Sequence, residues 1–420
     1  MKRLSKMVFF IALALSACLL VNCNGAKGNS GTGDPPASNS IITFSRQFGN
    51  TGTEAAYAGL ETSDGSFVLA GVKSASTGSN LVLNSDDGHI IKTDGLGQLI
   101  WEKNFGGSQD DGFYDIKETG DGGLVAAGFT SSLANGALTS DAWLIKVDGN
   151  GNLLWQKTYD EGTREVARSI SATSDGGFVL TGVATPDTGS RKIYVVHTDA
   201  DGNKIWSHMY EIGSGDNTGY SIVEASNGDF VIVGQAFFGV PSGQEDIVLL
   251  RIDKDGNELW HKTFGGPYTD TARCLIRTSD NGFAIAGSIQ NDMYSLDGTE
   301  MVLIRVDRNG DELWRKTYKG TNVGLRANSL QQTSDGSFIL VGNNPFAVGG
   351  YNVILIKTDV NGNELWRTKY SGSAGAQGNA VRITADGGFA VMGVEFSLDW
   401  QGFYNSDALL LKTNLLGQTQ

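Results

Sequence analysis

Acidic and amide side chains recur at one place in the repeats of this 420-residue sequence, and they are the groups best suited to chemistry. Asp111, Glu165, Asn217 and Asp270 each open an apolar segment that ends in an Asp-Gly or Asn-Gly turn. In the other copies the matching residues read as Ala55, Leu325 and Ala376. Four such groups turned toward a common opening would suit a cation or sugar hydroxyls. Turned inward, they would accept hydrogen bonds from loop amides. Four residues further on, Asp115 stands where other copies have Ser169, Ser221, Cys274, Ser329 and Ala380. It is the acid out of pattern. Glycoside hydrolysis would need two carboxyl groups about 5–9.5 Å apart across a cleft, and 46 acidic residues leave that pair unspecified.

Other chemical signals reduce to structure. Asp148-Gly149-Asn150-Gly151-Asn152 and Asp199-Ala200-Asp201-Gly202-Asn203 resemble calcium loops. An EF-hand loop has Gly at its sixth position and Glu at its twelfth; here Gly comes fourth and a strand follows, so hairpin turns are expected. His197 and His208 fill positions held elsewhere by Lys or Arg, while His89 and His261 stand alone. Cys274 occupies the small-residue column as a buried spacer. HExxH and the P-loop Gly-Lys are absent, and the sequence implies neither cofactor nor metal.

The elements that carry these residues are short strands. Runs such as Phe178-Val179-Leu180-Thr181 and Ile193-Tyr194-Val195-Val196, bounded by Asp, Gly and Asn, read as strands. Trp101, Trp155, Trp206, Trp260, Trp314 and Trp366 follow one another at 54, 51, 54, 54 and 52 residues, the period of an array of small sheets. Seven turns, marked by Asp64, Asp121, Asp175, Asn227, Asp280, Asp335 and Asp386, accompany six of these Trp residues. The segment 42–49 supplies the missing strand, with Phe44 at the Trp position. The expected fold is all-β: one seven-bladed β-propeller of four-stranded blades over residues 41–420, closed by the N-terminal strand.

Composition bounds the partners. A net charge of −14 disfavours nucleic acid. Lys2, Arg3 and Lys6 before an apolar run from Met7 to Val21 read as a secretory signal. Leu15-Ser16-Ala17-Cys18 matches the bacterial lipobox pattern, and Leu20-Val21-Asn22-Cys23 is a looser version. Residues 1–17 would be removed and Cys18 (or alternatively Cys23) acylated. Several acyl chains anchor stably where one does not. Residues 24–40 are Gly-, Ser- and Asn-rich and read as a flexible tether. A monomer on a bacterial envelope membrane is expected.

Thr-Ser-Asp-Gly-Gly-Phe, Lys-Thr-Asp and Gly-Asn-Glu-Leu-Trp resemble repeats of bacterial surface propellers, broadly similar to the quinoprotein-alcohol-dehydrogenase-like superfamily. The resemblance covers residues 41–420 and implies the fold. Some relatives bind pyrroloquinoline quinone, but the vicinal cysteines of many such enzymes have no match here.

Function is expected on the end opposite the uniform turns, where the loops vary. These loops carry Phe237, Phe238, Met293, Tyr294, Phe346, Trp400, Phe403 and Tyr404, a typical set of interface anchors or of rings tucked onto blade tops. The first reading is a lipid-anchored binding or scaffold protein with a protein or glycan partner. A carbohydrate-acting propeller enzyme is second, and a quinone-binding redox relative third.

Overall fold

The computed structural model describes residues 43–49, 52–74, 85–134, 139–162, 164–239, 244–292, 298–321, 323–344, 350–398 and 404–419. Cys18, Cys23, the tether 24–40, Met293, Tyr294, Phe346, Trp400 and Phe403 lie outside them; Tyr404 opens a strand, and its side chain is also outside.

Every named element among the described residues is a strand. Strands adjacent in sequence pair antiparallel through tight turns, giving five four-stranded sheets. Arg164–Ala172, Phe178–Thr185, Lys192–Thr198 and Lys204–Tyr210 form one of them. The remaining sheet has eight strands. It comprises two such groups joined by a single parallel pair, Thr53 with Ser406. In one of these groups the outer strand comes from the other end of the chain: Phe44–Phe48 pairs with Tyr404–Thr413, Phe44 opposite Lys412 and Phe48 opposite Ala408.

The first strand of each group is innermost. Thr53–Glu61 packs on Asp111–Glu118, which packs on Arg164–Ala172. The series continues through Asn217–Glu224, Thr271–Arg277, Arg326–Gln332 and Ala376–Ile383, and the last packs back on Thr53–Glu61. The chain therefore closes on itself as a β-propeller. Middle strands are apolar at successive positions because each sheet is covered on both faces. Val302, Leu303 and Ile304 are all fully buried, and one apolar cluster draws Ala286 and Leu303 from one sheet together with Leu330 and Phe338 from the next. Outer strands such as Glu258–Phe264 are largely wet.

Both turn types sit at one end. Asp64 Oδ1 accepts the Thr62 hydroxyl at 2.6 Å and the Ser66 N–H at 2.9 Å, and Gly65 has φ +80°. Asn281 takes the same left-handed place with φ +65°, a conformation that Asn tolerates better than most residues. In the second turn Asp253 Oδ1 accepts the N–H groups of Asp255 (2.9 Å) and Asn257 (2.8 Å), and Oδ2 accepts the Asn257 amide at 3.0 Å. Asp148 and Asp199 are engaged in the same way. These carboxylates close hairpins, as the sequence led us to expect.

Each repeat Trp lies on the turn glycine of the next sheet. Trp101 meets Gly151, Trp155 meets Gly202, Trp260 meets Gly310, Trp314 meets Gly362 and Trp366 meets Gly417, while Trp206 shares Gly256 with His208. Phe44 lies on Gly97 in the same manner. The ring needs the bare backbone: a Cβ on Gly310 would stand 2.5 Å from Trp260.

Candidate functional site

The heads of the inner strands lie at the loop end, and their polar residues are buried. Asp111 Oδ2 accepts the Gly107 N–H (2.9 Å) and the Ser132 hydroxyl (2.6 Å), and Oδ1 accepts the Thr130 hydroxyl. Asn217 Oδ1 accepts the N–H groups of Ile212 and Gly213, both at 3.1 Å. Asp270 accepts from Gly266 N–H (2.7 Å) and Gln290 N–H (2.9 Å); burial pushes its carboxyl up while these amides pull it down. Such residues tie the link between sheets to the inner strand and present no free carboxylate to a ligand. The first member of this column is Glu54, not Ala55: Glu54 pairs with Lys73 three residues before the bulged Tyr57, as Asp111 pairs with Thr130 three before Tyr114. A constant ten residues to the turn Asp or Asn, Glu54 to Asp64 as Asp111 to Asp121, is the signal that identifies it.

Glu165 departs from this pattern. It is fully buried, and neither carboxylate oxygen has a close hydrogen-bond partner among the described residues, although the Glu161 backbone favours its charged form. Asp141 and Asp160 stand beside it. Burial first, then the charges of Asp160 and Asp141, push the Glu165 carboxyl up to about 8.

Asp115 does the work of the serines in its column. Its Oδ2 accepts the Ile170 N–H at 2.8 Å, as Ser221 Oγ accepts Leu275 N–H (3.3 Å) and Ser329 Oγ accepts Val381 N–H (3.2 Å). These bonds join neighbouring inner strands. The extra charge of Asp115 meets the Lys117 ammonium at 2.7 Å. Burial lowers Lys117 to about 8 and Arg382 to about 10, and Asp115 opposes both shifts.

One column of the inner strands is not evident from the sequence. Each inner strand is bulged, and the bulged residues are Tyr57, Tyr114, Arg168, Tyr220, Arg273, Asn328 and Asn379. A bulge breaks the two-residue alternation and re-aims its side chain. Here the side chains meet across neighbouring strands. Tyr57 and Tyr114 have ring centroids 5.5 Å apart. The Arg168 and Arg273 guanidinium carbons lie 5.1 and 6.0 Å from the Tyr220 ring, within cation–π range. Asn379 Nδ2 donates to Ala56 O at 2.8 Å, and Asn328 Nδ2 to Gly378 O at 2.9 Å. The available signal was a column of large polar residues just before the small one.

Tyr220 and Arg273 also line a crevice of about 230 Å³. Gln235, Glu245, Gln290 and Arg326 are among its walls, with threonine and serine hydroxyls between them. Burial raises the Glu245 carboxyl. The crevice thus joins two guanidinium groups, one carboxyl and several neutral donors and acceptors.

Phe237 and Phe238 are half-buried. Phe238 packs on an apolar cluster containing Ile193 and Tyr210; the Phe237 ring covers Gly215, and its carbonyl accepts the Ser214 N–H at 2.8 Å. Both rings tuck onto the sheet tops. The histidines stay in separate structural positions, His197 beside Trp206 and Phe230 and His89 beside Glu102.

Fold and sequence together define a propeller of the quinoprotein-like superfamily. The family model of the outer membrane protein assembly factor BamB matches residues 40–273 and 140–394, and the chain belongs to that family. No curated protein sequence matches it. Similar solved structures include a protein of unknown function from Dyadobacter fermentans, at 14% identity and TM-score 0.47, covering 78% of this chain and 96% of that one. A glucose dehydrogenase has 12% identity and TM-score 0.44, with 71% and 95% covered. A Penicillium chrysogenum alpha-L-arabinanase complexed with arabinobiose has 13% identity and TM-score 0.47, with 71% and 92% covered. No helix among the described residues is long and apolar enough to cross a membrane.

Proposed function

We propose that this chain is a binding or scaffold protein of the bacterial envelope, tethered by an acylated Cys18 or Cys23 and working through the loop end of a seven-bladed ring. The cycle of inner strands and the likeness of Phe44 to the repeat Trp residues support seven blades. The observation that carries the functional reading is the crevice lined by Tyr220, Arg273 and Arg326. Two guanidinium groups among neutral donors suit a polypeptide segment that offers carboxylates or backbone carbonyls. The family's name, that of an assembly factor for outer-membrane proteins, agrees with a protein partner. Glu245 is the single carboxyl among the lining residues, whereas glycoside hydrolysis needs two.

The test is affinity capture of envelope proteins by the full-length acylated chain. The wild type is expected to retain a partner that an Arg273→Glu, Arg326→Glu variant releases. Alanine at Phe237, Phe238, Trp400, Phe403 and Tyr404 then shows whether the loop aromatics widen the same footprint. Equal recovery by the wild type and the double charge reversal would refute the crevice as the binding surface.

A further inference from the structure

We propose that Asp141, Asp160 and Glu165 bind one hard divalent cation of the calcium class, at the link between the strands Leu153–Tyr159 and Arg164–Ala172. One carboxylate oxygen from each residue lies within 4.8 Å of the others. Oxygens bound to a shared calcium ion at about 2.4 Å can stand at most about 4.8 Å apart. The donor set is all oxygen, which selects hard cations over zinc or copper.

Comparison of the links supplies the reason to expect an ion. The same three positions recur at each link. At the next link they are Lys192, Glu211 and Asn217, and the Lys192 ammonium meets Glu211 at 3.1 Å. Two links further on they are Glu300, Lys319 and Leu325, and Lys319 meets Glu300 at 3.1 Å. Asn352, Ser371 and Ala376 are neutral, with the Ser371 hydroxyl bonded to Asn352. Where an acid pair occurs, as in Asp87 with Asp111 or Asp246 with Asp270, the middle position is glycine, Gly106 or Gly265. Among the described residues, only this link gathers three acids.

The second observation is Glu165 itself. Asp111, Asn217 and Asp270, at the same position, are engaged by loop groups. Glu165 is fully buried, and neither oxygen has a close partner among the described residues to match those of Asp111 or Asp270, the Glu161 backbone being the group that favours its charge. Asp141 is 3% exposed and Asp160 is exposed, so the site has a buried wall and an open side. Asp160 Oδ1 accepts the Gly162 N–H at 3.3 Å, and a Cβ on Gly162 would stand 2.8 Å from Glu165 Oε1. Water would complete the six to eight oxygens that calcium takes.

The test is calorimetric titration of the chelator-treated full chain with calcium chloride, paired with thermal melting in chelator and in about 1 mM calcium. One ion per chain is expected, with a rise in melting temperature of about 2 °C at ten times Kd. Asp160→Gly, which copies the neighbouring links and leaves the buried residues in place, should abolish the binding heat. Glu165→Gln should do the same. A wild type that binds neither calcium, magnesium nor manganese overturns the proposal. So does an Asp160→Gly variant that binds calcium as tightly as the wild type.

Discussion

Replacing Phe44 by alanine tests ring closure at one side chain. Phe44 is 6% exposed. Its ring meets Phe67 edge-on at 6.2 Å and lies on Gly97, and the Arg46 guanidinium stands 5.2 Å from it. Removing a buried Phe ring costs about 3–5 kcal/mol. Unfolding entropy of about 2.1 cal/mol/K per residue over roughly 380 residues is about 0.8 kcal/mol/K. A cost of about 4 kcal/mol therefore lowers the melting temperature by about 5 °C. Circular dichroism at several slow scan rates, with tryptophan fluorescence as a second probe, reads the shift. Trp260→Ala provides the yardstick, because Trp260 covers Gly310 as Phe44 covers Gly97. If Phe44 completes the last sheet, the two shifts should be similar. A shift below about 1 °C for Phe44→Ala, beside a large one for Trp260→Ala, would refute closure through this strand.

Gly310→Ala should lose about 2 kcal/mol or more in urea unfolding, since the residue has φ +79° and its new Cβ would press on the Trp260 ring. Hydrogen bonds from Thr62 and Thr173 hold the Asp64 and Asp175 carboxyls below their ordinary range, and the Asn257 and Asn363 amides do so for Asp253 and Asp359. Carboxyls depressed in the folded state contribute stability above their unfolded pKa and lose it as pH falls. Melting temperature should thus drop from about pH 4 downward, with proton uptake on unfolding measurable by calorimetry in two buffers. Glu165 runs the other way. Raised from 4.5 to about 8, its protonated form contributes stability that is lost as pH rises across that window. The calcium-free protein should lose on the order of several kcal/mol there, and Glu165→Gln should flatten the profile.

The parts of the molecule legible in the sequence are those that repetition enforces. Asp253, Gly256 and Trp260 read as turn and packing residues because the same backbone geometry and the same inter-sheet contact recur around the ring. Phe44 could be placed because a closed ring leaves one strand position to fill. Glu54 was read one residue late, as Ala55, although the ten-residue spacing to Asp64 contains the right answer. The column Tyr57 to Asn379 was hidden for a different reason. A bulge inverts the side of the strand on which later residues fall, and no residue type announces it. The fate of Asp111 and Asp270 was also beyond the sequence, since it depends on the path of links whose N–H groups face inward. Asp111 and Asp270 fasten those links to the inner strands, whereas Glu165 does not.

A ring built from near-identical copies cannot define a single site from what the copies share. Any residue type present at every link offers its chemistry equally at each, and such positions here are engaged by turn amides, glycines or neighbouring strands. A unique site must come from positions where one copy departs from the rest. The crevice rests on such a departure: Arg326 lines it and stands where the other copies carry Ala55, Gly112, Val166, Thr218, Thr271 and Gln377. The link acids rest on another, because Asp160 stands where Gly106 and Gly265 stand beside their own acid pairs. The two departures differ in sign. The crevice concentrates guanidinium groups on a chain of net charge −14, which draws in anionic segments that the remaining surface repels. The link concentrates carboxylates in a buried wall, where desolvation makes an unpaired charge costly and a bound cation correspondingly effective. Charge reversal at Arg273 should therefore leave calcium binding untouched, and Asp160→Gly should leave partner capture by the crevice untouched. Coupling between the two measurements would mean that the link and the crevice form one site, and that the departures were misread as separate.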